Sequence, residues 1–413
     1  MVKSYQDKGV ILLFIKETLQ TKICDNCDVL VCGGGFGGIS AALAAARQGK
    51  KVTLLEKQYM LGGLGTAGLI TIYLPLCDGM GRQVSFGIAE ELFRLSISMG
   101  CEEEYPSNWL DSDDRTKRTE NDPRFRVQYN AQLFAILAEK LLLENGVKIL
   151  YGAYAVATEV TNGKISSVII EGKSGRQAIT CNSVVDASGD CDIALFANAP
   201  TDTFKQGNVL ASWYYSYGEK EGYKLNTVGY ADIPDDQKKN GKRIKLLTNR
   251  RFGGVDTEEI SDLTILSHDS TLNHLTKKRE NDESALPVTI ATVPQLRMTR
   301  KIVGEYTLHD TEIHKYFDDS IGMVSDWRKR GPVYEVPFKT LYSSKVKNLI
   351  TAGRCTSVTD SMWDIMRVIP CCAVTGEAAG TAAAMTDDFS TLDIKDLQKK
   401  LVENGVVLHE TDL

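Results

Sequence analysis

The sequence predicts an α/β protein: a mainly parallel sheet assembled from separated segments, with an α+β domain inserted between them. Three observations predict it. A strand, a glycine turn, a helix and a second strand follow one another between residues 28 and 57. Two later apolar strands, SVVDASGD (183–190) and VKNLITAGRC (346–355), each run into a turn of small residues. Between about 201 and 345 the strand–helix alternation is lost.

The first unit opens with DVLVC (28–32), a short apolar run suited to a parallel strand covered on both faces. Alanine-rich ISAALAAARQG is a helix that stops at Gly49, and KKVTLLEK completes a βαβ unit of about 30 residues. Residues 73–122, richly charged from 102, read as an excursion from this sheet that belongs with the inserted domain. QLFAILAEKLLLENG (132–146) has helical spacing and ends at Asn145-Gly146. VKILYG, AYAVATEV and KISSVIIEG are strands, the last two joined across TNGK, a hairpin signal. The stretch 201–345 is aromatic early (SWYYSYG), charged in its middle, and holds four of the five histidines. PCCAVTGEAAGTAAAMT (370–386) is a small-residue helix opened by Pro370, and DIKDLQKKLVENG an amphipathic surface helix. The first domain is therefore expected from residues 1–72, 123–200 and 346–388, the inserted one from 201–345 with 73–122, and a terminal helix from 389–413. No internal repeat or low-complexity tract is present.

With 413 residues the chain has room for two domains with sizeable cores. Its 43% hydrophobic and 25% charged residues are ordinary for a soluble globular protein. A net charge of −6 gives no support to nucleic acid or an anionic membrane as partner. The most apolar N-terminal run, GVILLFI at 9–15, is far shorter than the ~20 residues that span a bilayer, and no small-residue cleavage site follows. A cytoplasmic protein is expected. Ten cysteines scattered through a core-forming chain read as reduced, mostly buried thiols. Cys24 and Cys27 form a C-x-x-C pair with Cys32 beyond; no second pair follows and the first histidine is His268, so no metal site is expected.

The chemistry begins at VCGGGFGGIS (31–40), which puts five glycines into six positions. Gly33, Gly35 and Gly38 fit G-x-G-x-x-G behind a strand and opening a helix, the context that gives the motif meaning. The first permits the tight turn, the second lets a pyrophosphate approach the main chain, and the third lets the helix pack close to the strand. Amides at the helix start, around Phe36 and Gly37, with the positive end of its dipole, then bind phosphate. Glu56 ends the second strand, followed by Lys57, where a carboxylate accepts hydrogen bonds from ribose hydroxyls and disfavours a 2′-phosphate. The motif alone does not separate FAD from NAD.

Three later features do. GGLGTAGL (62–69) follows Glu56 closely, VVDASGD (184–190) ends a later strand, and NLITAGRC (348–355) precedes the last long helix. That order resembles FAD-dependent oxidoreductases with a glutathione-reductase-like, Rossmann-type FAD-binding domain. More narrowly, LRMTRKIVGEY (296–306), VYEVPFKTL (333–341) and AGRCTSVTDSMWDIMRVIPCCAVTGEAAGTAA (352–383) resemble the bacterial FAD-dependent oxidoreductase family related to fumarate reductase flavoproteins, over roughly residues 27–408. The resemblance implies an FAD-binding domain with an inserted substrate domain. It places Gly33, Gly35 and Gly38 on the pyrophosphate, Glu56 on the adenosine ribose, and Gly62, Gly63 and Thr66 along the pyrophosphate and ribityl chain. Ala155 and Val156 would offer backbone groups to adenine. Ala187, Ser188 and Gly189 match a turn that is commonly Ala-Thr-Gly. Gly353 and Arg354 stand where relatives carry Gly-Asp or Gly-Glu; arginine accepts no hydrogen bond, so it points to a phosphate or to the substrate. Amides around Cys371, Cys372 and Ala373 would face the reduced ring's negative charge.

No second glycine-rich βαβ unit for NAD(P)H follows residue 57, and GGLGTAGLITIYLPLCDG carries only Cys77, not a redox cysteine pair. The expected function is therefore hydride transfer from a small organic substrate to flavin N5, with reoxidation by oxygen or a separate acceptor. Two rivals are a non-redox flavoprotein (isomerase or hydratase) and an RNA-modifying flavoprotein; the absence of a basic stripe speaks against the second. For the substrate, Arg297 and Arg300 would share one face if helical, as a carboxylate clamp or a solvated pair, and Arg367 lies three residues before Pro370. His309 and His314 stand as general bases or as surface residues. Cys371-Cys372 is either redox-active, at a helix start that lowers a thiol pKa, or buried and inert.

Overall fold

VTLLE at 52–56 is buried at every position, which only a strand covered on both faces allows. A computed structural model of the chain describes residues 2–7, 10–15, 17–102, 126–229 and 246–413. In it, β1 (Lys22–Cys32), β2 (Val52–Glu56) and β3 (Lys148–Tyr151) run parallel in the order β3-β2-β1, and β6 (Gly175–Asp186) lies next beyond β1. β4 (Tyr154–Thr161) and β5 (Lys164–Gly172) form the hairpin signalled by TNGK, turning at Asn162 and Gly163 with φ of 54° and 74°. The first half of β6 pairs antiparallel with β5, while Val184 to Asp186 pair parallel with β10 (Leu349–Thr351). One 12-residue strand thus serves both a meander and the parallel sheet.

The consequence for function is positional. Along the order β3-β2-β1-β6-β10, the carboxyl ends of the strands share one edge, so segments more than 300 residues apart meet there. Side chains along β1 alternate: Val29 and Val31 join the core under α1 (Phe36–Arg47), whereas Leu30 and Cys32 join the layer on the other face. Cys24 and Cys27 lie on this same strand.

α1 is crossed by α6, the buried helix Ile369–Met385 that follows the short α5 (Asp360–Met366); apart from Glu377 its residues are apolar, small or Thr, as burial requires. The crossing is backbone on backbone. A Cβ at Gly376 would lie 2.2 Å from the Gly37 carbonyl oxygen, and one at Gly380 would lie 2.1 Å from that of Ala41. α2 (Ile88–Ile97) and α3 (Ala131–Glu144) cover this layer, α3 capped by the Asn130 side chain accepting the Leu133 amide at 3.0 Å. Ile88, Leu92 and Phe93 of α2 enter the main core, and Arg47 forks onto Glu91 with two contacts of 2.7 Å. α2 lies in the stretch read from the sequence as an excursion; residues 103–122 of that stretch lie outside the described residues.

One acid is enclosed within α6. Glu377 Oε2 accepts the Ile88 amide at 2.8 Å and so supplies the cap that Gly87 has no side chain to provide. Its Oε1 meets no hydrogen-bond partner, and burial pushes the carboxyl up to about 8 from 4.5. The folded state therefore holds a proton that the unfolded chain releases, and stability falls as pH rises between those values. Between about pH 5 and about pH 8 the wild type should lose roughly 3–4 kcal/mol that Glu377→Gln, which keeps an acceptor for Ile88, does not lose. Urea denaturation at about pH 5 and about pH 8 measures both slopes, and equal slopes would refute the assignment.

The inserted part is an antiparallel sheet in the order β8-β7-β9: Gly222–Gly229, Ala211–Gly218 and Leu286–Ile290 respectively. The 23-residue α4 (Thr257–Arg279) covers one face. It is fastened by Ser212 to the Ser267 carbonyl at 2.6 Å and by Tyr214 to His274 at 2.8 Å. The opposite face carries Trp213, Tyr215 and Tyr217, with Tyr223 stacked on Tyr215 at 4.8 Å. Further along, the hairpin of Ser320–Ser325 and Val333–Pro337 sends Ile321, Val324, Tyr334 and Val336 into the main core.

Candidate functional site

The glycine loop leaves β1 where the chain order reverses, with β2 on one side and β6 on the other, the crevice in which open α/β sheets take their ligands. Its three motif glycines are used differently. Gly33 has a φ of +113°, and a Cβ there would lie 2.3 Å from the Ala187 carbonyl oxygen. At Gly38 it would lie 1.8 Å from the Gly33 carbonyl oxygen. At Gly35 it would meet nothing within 4 Å. The first and third are thus demanded by packing, and the second opens onto free space beside the helix start.

That space is lined by donors. The first bond of α1 runs from the Ile39 amide to the Gly35 carbonyl at 2.8 Å, so the amides of Phe36, Gly37 and Gly38 have no partner within the helix. The Phe36 ring turns the other way, stacked on Phe134 at 4.5 Å in the core. Gly37 abuts Gly353, whose nitrogen would be 3.1 Å from a Cβ there. Gly62 bonds the Gly34 carbonyl at 2.8 Å, and Gly63 approaches the Gly35 Cα, so the second glycine stretch forms the facing wall. The buried Thr66 hydroxyl is spent on the Leu61 carbonyl inside this wall.

Glu56 is 5% exposed and accepts the Gly34 amide at 2.8 Å and the Gln58 amide at 2.7 Å. Burial raises its carboxyl despite these amides. A carboxylate has about four acceptor sites, so two amides leave lone pairs for a ribose. The acid therefore both pins the loop and offers acceptors. Glu56→Ala should weaken FAD about tenfold or more and lower Tm by several degrees, measured by flavin titration and thermal melting; unchanged affinity would remove it from the site. Ala155 and Val156 are half-buried on β4, next to the Ala153 amide that bonds the Glu56 carbonyl at 3.2 Å.

Ser188 meets the loop with its main chain, its nitrogen lying 2.9 Å from where a Gly33 Cβ would be. Its hydroxyl bonds Asp186 at 2.6 Å and accepts the Asp192 amide at 3.1 Å, turning the chain into a short helix, Asp192–Phe196. Gly189 has a φ of +81° and lies flat under the Arg354 guanidinium, whose Nη2 would be 2.3 Å from a Cβ there. Gly353, with a φ of +68°, bonds the Thr375 hydroxyl at 2.9 Å.

The second helix start lies against the first, since a Cβ at Gly37 would be 3.3 Å from the Cys372 carbonyl. The Cys372 amide bonds the Val368 carbonyl at 2.9 Å, which leaves those of Ile369 and Cys371 without a partner inside α6. Both thiols are buried, and burial outweighs the helix start: Cys371 is pushed well above its usual range and Cys372 up to about 12. Of the two alternatives for this pair, the buried one describes both thiols. A thiol reagent at neutral pH should label neither cysteine in the native protein and both in denaturant; fast native labelling would contradict their burial.

The arginine pair separates. Residues 294–299 are irregular and Arg300–Ile302 is a strand paired with Thr201–Thr203, so no helical face exists to hold a clamp. Arg297 lies over the Trp213 ring at 4.9 Å and bonds Gln295, which in turn holds the Gly68 carbonyl at 2.6 Å. Arg300 instead bonds the Asp190 carbonyl at 3.1 Å and Asp192 at 3.2 Å. Arg367 is paired with Asp364, which also holds Arg328, in a buried cluster beside the start of α6. His309 is exposed, and His314 pairs with Glu410 at 2.7 Å. Sequence reasoning missed Asp190, Trp213, Gln295 and Asp364; only Asp190 had a local signal, as an acid directly after the small-residue turn.

A glycine loop at the switch point, a strand-end acid and a second helix start define a dinucleotide-binding domain of the flavoprotein type. The chain matches the FAD dependent oxidoreductase family over residues 28–209 and 209–401, and it belongs to that family. Its cofactor is FAD. The open space at Gly35, with the free amides of the α1 start beside it, fits that cofactor's diphosphate. Among similar proteins, the inactive all-trans-retinol 13,14-reductase of Danio rerio is 49% identical over 49 residues, or 12% of this chain and 8% of that protein's length. The p-nitrophenol 4-monooxygenase of Pseudomonas putida shares 12% identity with a TM-score of 0.47, over 92% of this chain and 84% of that one. An open-conformation flavocytochrome c3 fumarate reductase shares 13% with a TM-score of 0.42, over 88% and 79%.

Proposed function

We propose that the protein oxidises a small organic substrate, with reoxidation by oxygen or a separate electron acceptor. Bound FAD would supply the hydride-accepting position, N5 of its ring system. The observation that carries this reading is the pairing of two helix starts where Gly37 meets the Cys372 carbonyl. The amides of α1 are placed for a diphosphate, while those of Ile369 and Cys371 lie where a second negative charge would be held. The α6 start is backed by about half a unit of positive charge from the helix dipole, in a site walled by buried residues where such a charge is weakly screened.

The chain's own contribution is then orientation and exclusion of water. Gln295 ties the inserted domain to the 62–69 loop, and Thr292 adds an amide bond to the Ala67 carbonyl at 2.9 Å. This sets Arg297 and Trp213 against that loop as the substrate-side wall. We place the substrate there, as a small molecule, with no nucleic acid or membrane as partner. Anaerobic addition of candidate substrates to the yellow protein tests the proposal. Bleaching of the flavin by at least one organic hydride donor is expected. Failure of a broad panel to bleach it, while dithionite does, would defeat the reading.

A further inference from the structure

Lys57, Asp190 and Arg354 extend from the ends of β2, β6 and β10. In the order β2-β1-β6-β10 they form a line across the carboxyl end of β1, where the glycine loop emerges. We infer that Arg354 and Lys57 are diphosphate-binding residues of this cradle, held in readiness by Asp190; the inference rests on the FAD reading above.

Four observations carry it. Asp190 stands 3.6 Å from the Lys57 ammonium and 3.7 Å from Arg354 Nη2, beyond hydrogen-bonding reach of either. It accepts a hydrogen bond instead from the Thr299 hydroxyl at 2.8 Å. The two cations are thus gathered by a carboxylate without being hydrogen-bonded to it. Second, Arg354 is braced at both ends. Its Nη1 donates to the Leu296 carbonyl at 2.7 Å, and its Nη2 lies over Gly189, two residues beyond the Ala187 carbonyl that touches Gly33. Its preceding residue, Gly353, abuts Gly37 in the first turn of α1. The guanidinium and its backbone therefore bracket the loop from one side.

Third, the charges match. The first turn of α1 carries no basic side chain; its one basic residue, Arg47, is in the last turn and turned to Glu91. A dinucleotide's diphosphate brings about two negative charges, more than the half unit a helix dipole offsets. Lys57 and Arg354, less the Asp190 carboxylate that gathers them, add about one positive charge to that half unit. Fourth, arginine's planar fork suits a phosphate.

The test compares ADP with adenosine, which differ by the diphosphate, on the full-length chain freed of flavin. Calorimetric titration should show Arg354→Gln weakening ADP about tenfold or more while adenosine changes less than about twofold. Lys57→Gln should follow the same pattern with a smaller factor, and the ADP affinity of either variant should depend less on salt. Lys57 is 43% exposed at its side chain, so this second variant keeps the test open should Arg354→Gln fail to fold through loss of the Leu296 bond. ADP affinity unchanged in the variants, or ADP and adenosine weakened by one common factor, would overturn the inference. A wild-type chain that takes up neither FAD nor ADP would instead defeat the cofactor reading itself.

Discussion

Gly38→Ala is expected to prevent stable folding. The added carbon would lie 1.8 Å from the Gly33 carbonyl oxygen and 2.9 Å from its carbon, both main-chain atoms that no rotamer change moves aside. Relief requires α1 to withdraw from β1, and α1 is locked on its other side by the α6 crossing at Gly376 and Gly380. Overpacking inside a tight core costs about 1–3 kcal/mol when side chains yield, and more when backbone must. Against total stabilities of about 5–15 kcal/mol, the variant should appear mostly insoluble or melt at least ~10 °C lower. Thermal melting beside the wild type decides it, and a soluble variant of equal Tm would contradict the packing role.

Gly35→Val should do the opposite: fold normally and remain colourless. Gly35 has φ −72° and ψ 179°, which any residue adopts, and its Cβ would touch nothing. The protein therefore loses little, while the branched side chain occupies the space beside the α1 amides. FAD affinity should fall about 100-fold or more, roughly 3 kcal/mol, with Tm measured without flavin changed by only a few degrees. Flavin titration with parallel melting separates the two effects. A fully loaded yellow variant would show that the diphosphate does not pass Gly35. Two glycines three residues apart in one motif thus give opposite phenotypes.

The βαβ unit, the TNGK hairpin and the last long helix were legible because their signals are local: apolar runs, turn residues and a proline at a helix start. The cradle glycines were legible for the same reason. What escaped depends on contacts between strand ends. Lys57, Asp190 and Arg354 are separated by 133 and 164 residues, and no spacing rule joins them. Arg297 and Arg300 misled through their three-residue spacing; the segment after Pro294 is irregular, and strand pairing with Thr201–Thr203 replaced helical register. At Cys372 the dipole and burial act in opposite directions, and only the tertiary structure shows that burial prevails. Glu377 lay unnoticed in an alanine-rich helix whose small residues drew the eye to packing.

The central claim is that the loop at residues 33–38 and the later strand ends together hold one FAD. Purification without added cofactor, followed by a visible absorption spectrum and titration with FAD to saturation, tests it most directly. The account predicts the two visible flavin bands, one FAD released per chain at saturation, and no such binding by Gly35→Val. A folded wild-type chain that stays colourless and leaves added FAD unbound would contradict it.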